Sequence, residues 1–590
     1  MPERRVPFLA VVVAVQAVWL TVLMGPGWYS GPDLANISYA HGRALDADYL
    51  TASLGGHFGA PTRLTYWVLV RIDPLGWGLT VAARVLLQAA GTILLWVLLT
   101  ELVGRRRWLP LVLAGYALSP VLVPGLSVLS SGMGLELAQA TYLGMLLLHV
   151  RYTRRGGTRY AVGVAVLALV SLLYADQIAP GMLALPWLSF VVLAGGRPLE
   201  VLRRRWPGYA LLALAAAAFG GLYLSGDYSG VASSFGVGQA WDLVRTEWVD
   251  VLGPALLGGP WDWAAPPGVW SSIAVPPLAE KVLGQVVLLG LIGASVKVTG
   301  WRALRGWAFP VMIAVGGVLL VGAGRSVELG TFVSPILRYS HYAPMALAIG
   351  ITLAFAAAPE EGVEERPLEL PSEARPIAVL VTAGALVMSV VSASGFADRF
   401  WQNTAPSYVD AVAASARTTT KQVFDPPVPA SVIPPVEPNH FVSDVLQLTG
   451  GKLRFDGLDP EPLTFDQSGR AVPAGFLPAA DFSDARTPGC GLLITQTTVV
   501  HLGPVTANSW DLQLQVVQRR SNAFRIEVRN AAGALMPFRH GTSAVQPTQD
   551  LVGINRSLRY GIPSTVTLVV DDPAASFCLA HAYLGSPFPK

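Results

Sequence analysis

Residues 76–100 read GWGLTVAARVLLQAAGTILLWVLLT, and Arg84 is the single charged side chain among them. A helix rises about 1.5 Å per residue, so about 20 mostly apolar residues cross the hydrocarbon core of a bilayer. This stretch is long and apolar enough to do so. Ten others follow the same pattern, roughly 6–24, 109–126, 135–150, 160–176, 180–196, 208–225, 282–297, 308–323, 341–358 and 376–393. The expected fold is therefore a polytopic α-helical membrane domain of about eleven transmembrane helices. Composition points the same way: the 590 residues are 52% hydrophobic and 13% charged, against a usual charged share of about 25%. Mean hydropathy is +0.49. These values exclude an ordinary cytosolic enzyme and a disordered chain. A net charge of +3 leaves no nucleic-acid footprint. The first stretch has no small-residue cleavage site and reads as a retained signal-anchor.

Basic residues orient the spans, because cytoplasmic loops carry an excess of Lys and Arg. With the N-terminus inside, the inner loops hold 18 of them, including Arg105–Arg107, Arg151, Arg154, Arg155 and Arg203–Arg205. The outer loops hold 7: Arg43, Arg63, Arg71, Arg245, Lys281, Arg325 and Arg338. This predicts a multi-pass plasma-membrane protein with a cytoplasmic N-terminus. Everything beyond about residue 394 then lies outside the membrane.

That outer part begins with a Pro- and Ala-rich stretch, 394–438, which includes Asp425-Pro426-Pro427-Val428-Pro429 and Ile433-Pro434-Pro435. It reads as a semi-rigid linker with a short helix over 405–417. From 439 to 590 the pattern changes. Leu512, Leu514 and Val516 alternate with Gln513 and Gln515, and Phe524, Ile526 and Val528 alternate with Arg525, Glu527 and Arg529. Period-two runs between turn-forming clusters predict an antiparallel β-sandwich, with a jelly-roll of carbohydrate-binding type as the expected topology. Trp510, Tyr560 and Tyr583 are candidate sugar platforms there, with core packing as the alternative. Both cysteines, Cys490 and Cys578, fall in this part. An outside location permits a disulfide between them; two buried thiols are the alternative. The expected domains are thus 1–393 in the membrane, 394–438 as linker and 439–590 as the extracytoplasmic sandwich.

The sequence contains no Gly-rich phosphate loop ending in Lys-Ser/Thr, no His-Glu-x-x-His and no Cys-x-x-Cys. Repeated halves are not visible. Three carboxylates lie close to predicted membrane ends on the outer side: Asp33, Glu136 and Asp176. An ionisable group at the hydrocarbon boundary is costly unless it meets water or a partner, which makes each a functional candidate. Capping a helix or sitting in headgroup water is the alternative. The first outer loop runs Gly31-Pro32-Asp33-Leu34 through Tyr39 and Arg43 to Gly55-Gly56-His57-Phe58-Gly59-Ala60-Pro61. A longer loop, 226–281, interleaves Trp241, Trp248, Trp261, Trp263 and Trp270 with Asp242, Glu247, Asp250 and Asp262. That mixture suits sugar recognition, and equally an interfacial helix.

An Asp soon after the first span is followed by a helical stretch, a Gly/His/Pro turn and an aromatic segment leading into the second span. In this order the chain resembles integral-membrane glycosyltransferases of the GT-C type, the class of protein O-mannosyltransferases, lipid A aminoarabinose transferases and actinobacterial arabinofuranosyltransferases. Ser130-Ser131-Gly132-Met133-Gly134-Leu135-Glu136 resembles their second outer loop, and Tyr174-Ala175-Asp176-Gln177 the polar patch before the sixth span. Pro335-Ile336-Leu337-Arg338-Tyr339 with Pro344 resembles their late Arg-Tyr…Pro element, thought to hold a lipid phosphate. The resemblance covers about two thirds of the chain. It implies an enzyme at the outer face of the plasma membrane that uses membrane lipid, a polyprenyl-phosphate sugar donor and a glycan or glycoprotein acceptor, with no nucleic acid. Asp33 takes the catalytic place. Arg338, Glu136, Asp176, His57, Tyr39 and Arg325 are the candidate substrate contacts. Asp33 is followed by Leu34 where the class carries a second acid, so the cofactor stays open, a divalent metal included.

The chemistry is consistent with that assignment. A sugar or protein hydroxyl is a poor nucleophile at neutral pH, and a carboxylate within hydrogen-bond reach can take its proton as the C–O bond forms. The leaving group is a phosphate, which a cation stabilises, and guanidinium matches phosphate bidentately. The alternatives are an Arg338 that snorkels to headgroups, a solvated His57 and an interface-belt Tyr39. Two rival functions remain at this level. A flippase for lipid-linked saccharides should carry ionisable groups deep in several spans, whereas only Arg84 lies clearly inside one. A non-catalytic envelope scaffold does not need eleven spans.

Overall fold

The computed structural model describes every residue except 1–5, 53–57, 226–234, 266–271, 330–332, 334, 357–373, 402–403, 436, 438, 456, 460, 482–489, 502–510, 519–522, 547–549, 559–561 and 573–575. The chain divides into two compact units. The first comprises Met1–Asp33 and Arg43–Gln402, the second Leu34–Gly42 and Asn403–Lys590.

Unit 1 is helical, and helix occupies each of the eleven expected stretches. Among the described residues, five stretches are long and apolar enough to cross a membrane by length and composition: Trp77–Val103, Leu109–Ser127, Pro198–Ser225, Leu278–Gly324 and Val379–Thr418, the last of which runs on into unit 2. Phe8–Met24 and Thr158–Tyr174 are shorter apolar helices. Local chemistry sets where they stop. The Trp77–Val103 helix ends at Gly104, whose φ of 71° is in the left-handed region that a side chain disfavours. The basic run Arg105–Arg107 follows directly. Proline breaks other stretches. Leu109–Ala117 and Val123–Ser127 are separated by a short turn, Pro120–Leu122, because Pro120 lacks an N–H and biases Ser119 away from helix. The apolar core of this unit combines residues of several helices with the segment carrying Val251 and Trp263, and Val121, Val123, Val251, Trp263, Trp307, Leu337 and Phe396 fall in one cluster.

Unit 2 contains two antiparallel sheets that share one core. The seven-stranded sheet runs in the order Gly457–Leu458, Asp550–Ser557, Asp511–Gln518, Phe577–Pro589, Ala471–Asp481 and Leu463–Phe465, with Leu492–Ile494 also on Phe577–Pro589. The five-stranded sheet runs Leu535–Met536, Phe524–Asn530, Pro563–Val570 and Thr498–His501, with Ala544–Val545 also on Phe524–Asn530. Leu512, Leu514 and Val516 from the first sheet meet Phe524, Ile526, Val528, Val566 and Leu568 from the second. Their alternation in sequence places them on inner faces. Cys490 and Cys578 form a disulfide, with Cα atoms 5.0 Å apart.

From Asn403 on, the Pro-rich stretch belongs to unit 2, while 394–402 belong to unit 1. The stretch contains the helix Ala405–Thr418, and Val423, Phe424, Val428, Val432 and Ile433 are all buried. Residues between the prolines supply the hydrogen bonds that proline cannot: Val423 N–H donates to Arg454 O at 2.9 Å and Val428 N–H to His440 O at 2.8 Å.

Candidate functional site

The first turns of the helix Leu129–Arg155 are the meeting point of unit 1. Their sequence, Ser130-Ser131-Gly132-Met133-Gly134, is small for a steric reason. A Cβ on Gly132 would overlap the Arg84 guanidinium and the Gly125 carbonyl, and one on Gly134 would lie 2.9 Å from Tyr174 O and 3.3 Å from Thr62 Oγ1. The glycines thus admit four other elements to close contact.

Arg84 enters from Trp77–Val103. Its Nε donates to Glu136 Oε2 at 3.1 Å and its Nη2 to Gly125 O at 2.6 Å, and both side chains of the pair have 0% exposure. Arg84 Nη1 and Glu136 Oε1 have no partner among the described residues. A sealed charge requires a sealed counter-charge, so Arg84 and Glu136 are mutually obligatory. One turn deeper, Gln88 and Gln139 both donate to Tyr116 Oη, at 3.1 and 2.7 Å.

Asp33 reaches the same turns from the N-terminal end of Gly31–His41. It is fully buried. Ser30 N–H donates to Oδ2 at 3.0 Å, and Ser130 N–H donates to Oδ1 at 2.5 Å. Each oxygen keeps a further lone pair. Asp176 lies two residues beyond Tyr174, whose carbonyl faces Gly134. It is half-buried, and its Oδ2 accepts from Tyr223 Oη at 2.8 Å.

The late Arg-Tyr segment arrives at the same place. Its turn, Leu337–Ser340, packs against Val123–Ser127. His341 Nδ1 would lie 2.6 Å from a Cβ on Gly125. Tyr342 Oη donates to Leu135 O at 3.3 Å. The Arg338 guanidinium stands over the Tyr339 ring at 5.1 Å and donates to its hydroxyl at 3.2 Å. Arg338 Nε has no hydrogen-bond partner among the described residues. Ser340 Oγ donates to Glu247 Oε2 at 2.7 Å. Burial pushes the Glu247 carboxyl up to about 8, against the lowering effect of that hydrogen bond.

The residues expected from sequence therefore divide. Asp33, Glu136, Asp176 and the segment carrying Arg338 belong to elements that converge on the start of Leu129–Arg155. Tyr39 lies in the 34–42 segment of unit 2. His57 and the Arg325 side chain lie outside the described residues, as do Trp270, Trp510 and Tyr560. Tyr583 lies nearly parallel to His581, their ring centroids 5.8 Å apart. Arg84, His341 and the Glu247–Ser340 link were not assigned to the site from sequence. Arg84 had a signal, as the lone charge in residues 76–100. Glu247 had none, being one carboxylate among several in its loop. Among the described residues no group of three His, Cys, Asp or Glu is placed to hold a metal ion.

An apolar cavity of about 350 Å³ lies beside this cluster, between Leu109–Ala117, Leu278–Thr299, Ala343–Phe355 and Ala374–Phe400. Leu111, Val112, Leu291, Leu347, Ile351 and Leu386 line it. Its polar lining residues are Tyr116, Ser119, Thr382 and Ser389, and Tyr116 is the residue that joins Gln88 to Gln139.

No family model matches the chain, and no curated protein matches it. Among solved structures it is similar to arabinofuranosyltransferase AftD from Mycobacteria, at 13% identity and a TM-score of 0.34, over 99% of this chain and 62% of that one. It is similar to ArnT from Cupriavidus metallidurans bound to undecaprenyl phosphate, at 13% identity and a TM-score of 0.42, over 75% of this chain and 85% of that one. It is also similar to the Archaeoglobus fulgidus oligosaccharyltransferase, at 14% identity and a TM-score of 0.36, over 71% of this chain and 58% of that one. The chain thus spans less than two thirds of the mycobacterial and archaeal proteins. With TM-scores of 0.34 to 0.42, function has to be read from the site itself.

Proposed function

We propose that this chain is an integral-membrane glycosyltransferase that moves a sugar from a polyprenyl-phosphate donor to a glycan or glycoprotein acceptor at the outer face of the plasma membrane. The observation that carries the reading is a juxtaposition in unit 1. A polar cluster drawn from five distant segments abuts an apolar cavity through Tyr116. A substrate with a hydrocarbon tail and a charged, hydroxylated head needs both environments side by side. The eleven spans, the cytoplasmic N-terminus, the outer placement of unit 2 and its jelly-roll topology belong to the same reading.

The roles follow from chemistry. A carboxylate takes the acceptor hydroxyl proton as the new C–O bond forms and the polyprenyl phosphate departs. Asp33 is the proposed base, with a lone pair left on each oxygen. Asp176 is the second reading, favoured by its partial exposure. Arg338 pairs with the departing phosphate through a guanidinium whose Nε is unclaimed. Arg84 and Glu136 hold the converging helices together. Tyr39, His57 and Arg325 remain proposed substrate contacts on sequence grounds.

The test is sugar transfer from polyprenyl-phosphate donors in membranes. Asp33→Asn should reduce transfer by about 10²–10⁴-fold while donor binding survives. Arg338→Lys should weaken donor binding, because a point charge does not reproduce the bidentate fork. Undiminished transfer by Asp33→Asn with loss in Asp176→Asn would move the base to Asp176. Full transfer by both variants would defeat the acid–base assignment.

A further inference from the structure

A second cavity, of about 390 Å³, lies in the outer-loop part of unit 1 and is chemically unlike the first. One wall is the helix Val237–Thr246, which turns Gln239, Asp242 and Thr246 to the same side at spacings of three and four residues. Asp250 continues that wall. Arg245, Lys281 and Phe235 complete the polar and aromatic lining. The opposite side of the helix bears Val237 and Trp241, which are 88% and 66% exposed. The helix is thus two-faced, with its polar groups turned into the cavity.

The lining is balanced in charge. Asp242 and Asp250 stand against Arg245 and Lys281, and Lys281 Nζ already pairs with Asp250 Oδ1 at 3.0 Å. Such a surface does not favour an anion, since two carboxylates oppose it. It does favour a neutral molecule dense in hydroxyls. Each hydroxyl both donates and accepts, so carboxylates, cations, an amide and a threonine can all be used, and a phenyl ring can take the C–H face of a sugar. The volume lies within the usual range of a small-molecule site, about 300–1,000 Å³.

The cavity is also tied to the proposed reaction centre. Phe235 and Leu243 from its lining pack in one cluster with Tyr339, the neighbour of Arg338. Pro335 lines it, and its carbonyl accepts the Ala274 N–H at 2.8 Å. Glu247, next in sequence after Thr246, holds Ser340. A molecule seated in this cavity rests against Pro335, three residues before Arg338.

We propose that this cavity is the acceptor subsite and that its ligand is a neutral glycan, rather than a protein or the phosphorylated donor. The proposal rests on the transferase reading for the word acceptor, while the binding itself stands apart from it. The probes are diazirine-tagged maltotetraose, mannotetraose and arabinotetraose, photo-crosslinked to the full-length protein in nanodiscs and mapped by mass spectrometry. At least one should label residues 235–250 or 273–281 saturably, with competition by its untagged form. Asp242→Asn and Gln239→Ala should each weaken that labelling by about ten-fold or more, the loss expected for a hydrogen bond to or from a charged or fixed polar group. Val237→Ser, on the opposite face, should leave it unchanged, and thermal midpoints of Val237→Ser and Asp242→Asn should match the wild type, whereas Gln239→Ala also removes the cap in which Gln239 Oε1 accepts the Gly236 N–H at 3.1 Å. No saturable label there from any of the three sugars would overturn the proposal. So would wild-type affinity in both cavity variants, or competition by glucose 1-phosphate in preference to the neutral sugars. If the sugars bind and the variants lose them, yet no polyprenyl donor supports transfer, the cavity stands and the transferase reading falls. If transfer occurs with unchanged acceptor KM in both variants, the transferase reading stands and the cavity assignment falls.

Discussion

Unit 1 and unit 2 each bury a carboxylate among cationic and polar partners, and they do so in opposite ways. In unit 1, Arg84 and Glu136 have 0% side-chain exposure and a single ion-pair contact at 3.1 Å. In unit 2, Asp425 accepts from Ser443 N–H at 2.8 Å, Ser443 Oγ at 2.7 Å and His540 Nε2 at 2.7 Å. Arg539 approaches Asp425 at 3.6 Å and Asp444 at 3.7 Å, while its guanidinium covers the Phe441 ring at 3.1 Å. His540 and Arg539 in that network keep 26% and 13% exposure. The sealed pair has no water to fall back on, so it is all-or-none. The open network has several partners and solvent at its edge, so it can lose one contact or gain a proton and persist.

The sharpest way to break this contrast is to remove one member of the sealed pair. Glu136→Ala leaves a buried guanidinium uncompensated and should cost about 3–5 kcal/mol, read as a lower unfolding midpoint in detergent. Replacing both partners, as Arg84→Met with Glu136→Leu, should recover much of that loss. A Glu136→Ala protein as stable as wild type would mean that water reaches the pair. Next in size is the disulfide. Cys578→Ser should destabilise unit 2 by about 2–4 kcal/mol. Hydrogen exchange should then show lost protection in Asp511–Gln518 and Phe577–Pro589, with Trp77–Val103 unaffected.

Acidity sharpens the comparison further. Burial raises Asp511 to about 7 and Asp444 to about 6, well above the ordinary carboxylate range. Between about pH 4 and these values the folded chain holds protons that the unfolded chain has released. The contribution of these groups to unit 2 is therefore fully present below about pH 4 and is lost as the pH rises through 6 to 7. The slope is at most about 1.4 kcal/mol per pH unit for each group. Denaturation of unit 2 followed from pH 4 to 8 should show this decline, and Asp511→Asn should flatten it; a slope unchanged in Asp511→Asn would remove Asp511 as its source. The smallest effect belongs to the surface. Arg525 and Asp571 pair at 2.9 Å in solvent, and Asp571→Asn should leave the unfolding midpoint unmoved within error.

Much of the architecture was readable because it follows from periodicity. Residues 76–100 announced a membrane helix by length and apolarity, and the 512–516 and 524–528 alternations announced strands. The cysteine pair was readable from count and compartment. The Pro-rich stretch was harder. Its composition reads as a spacer, yet Val423, Phe424, Val432 and Ile433 are buried; four apolar side chains among prolines carry no period from which packing could be inferred. Ser130–Gly134 looked like a loop motif, whereas its small residues serve close approach by Arg84 and Tyr174.

What the sequence determined by itself was which segments are helix or strand, because that depends on neighbours within a few residues. It also supplied Asp33, Glu136, Asp176 and Arg338 as residues that need an explanation, because charge beside apolar sequence is costly wherever it lands. Only the tertiary structure decided that Arg84 answers Glu136, that Ser130 N–H fills Asp33, and that Ser340 holds Glu247. These partners stand 52, 97 and 93 positions apart. Hydrogen bonds and ion pairs act over about 3 Å, so such pairings exist only once packing has brought remote segments together.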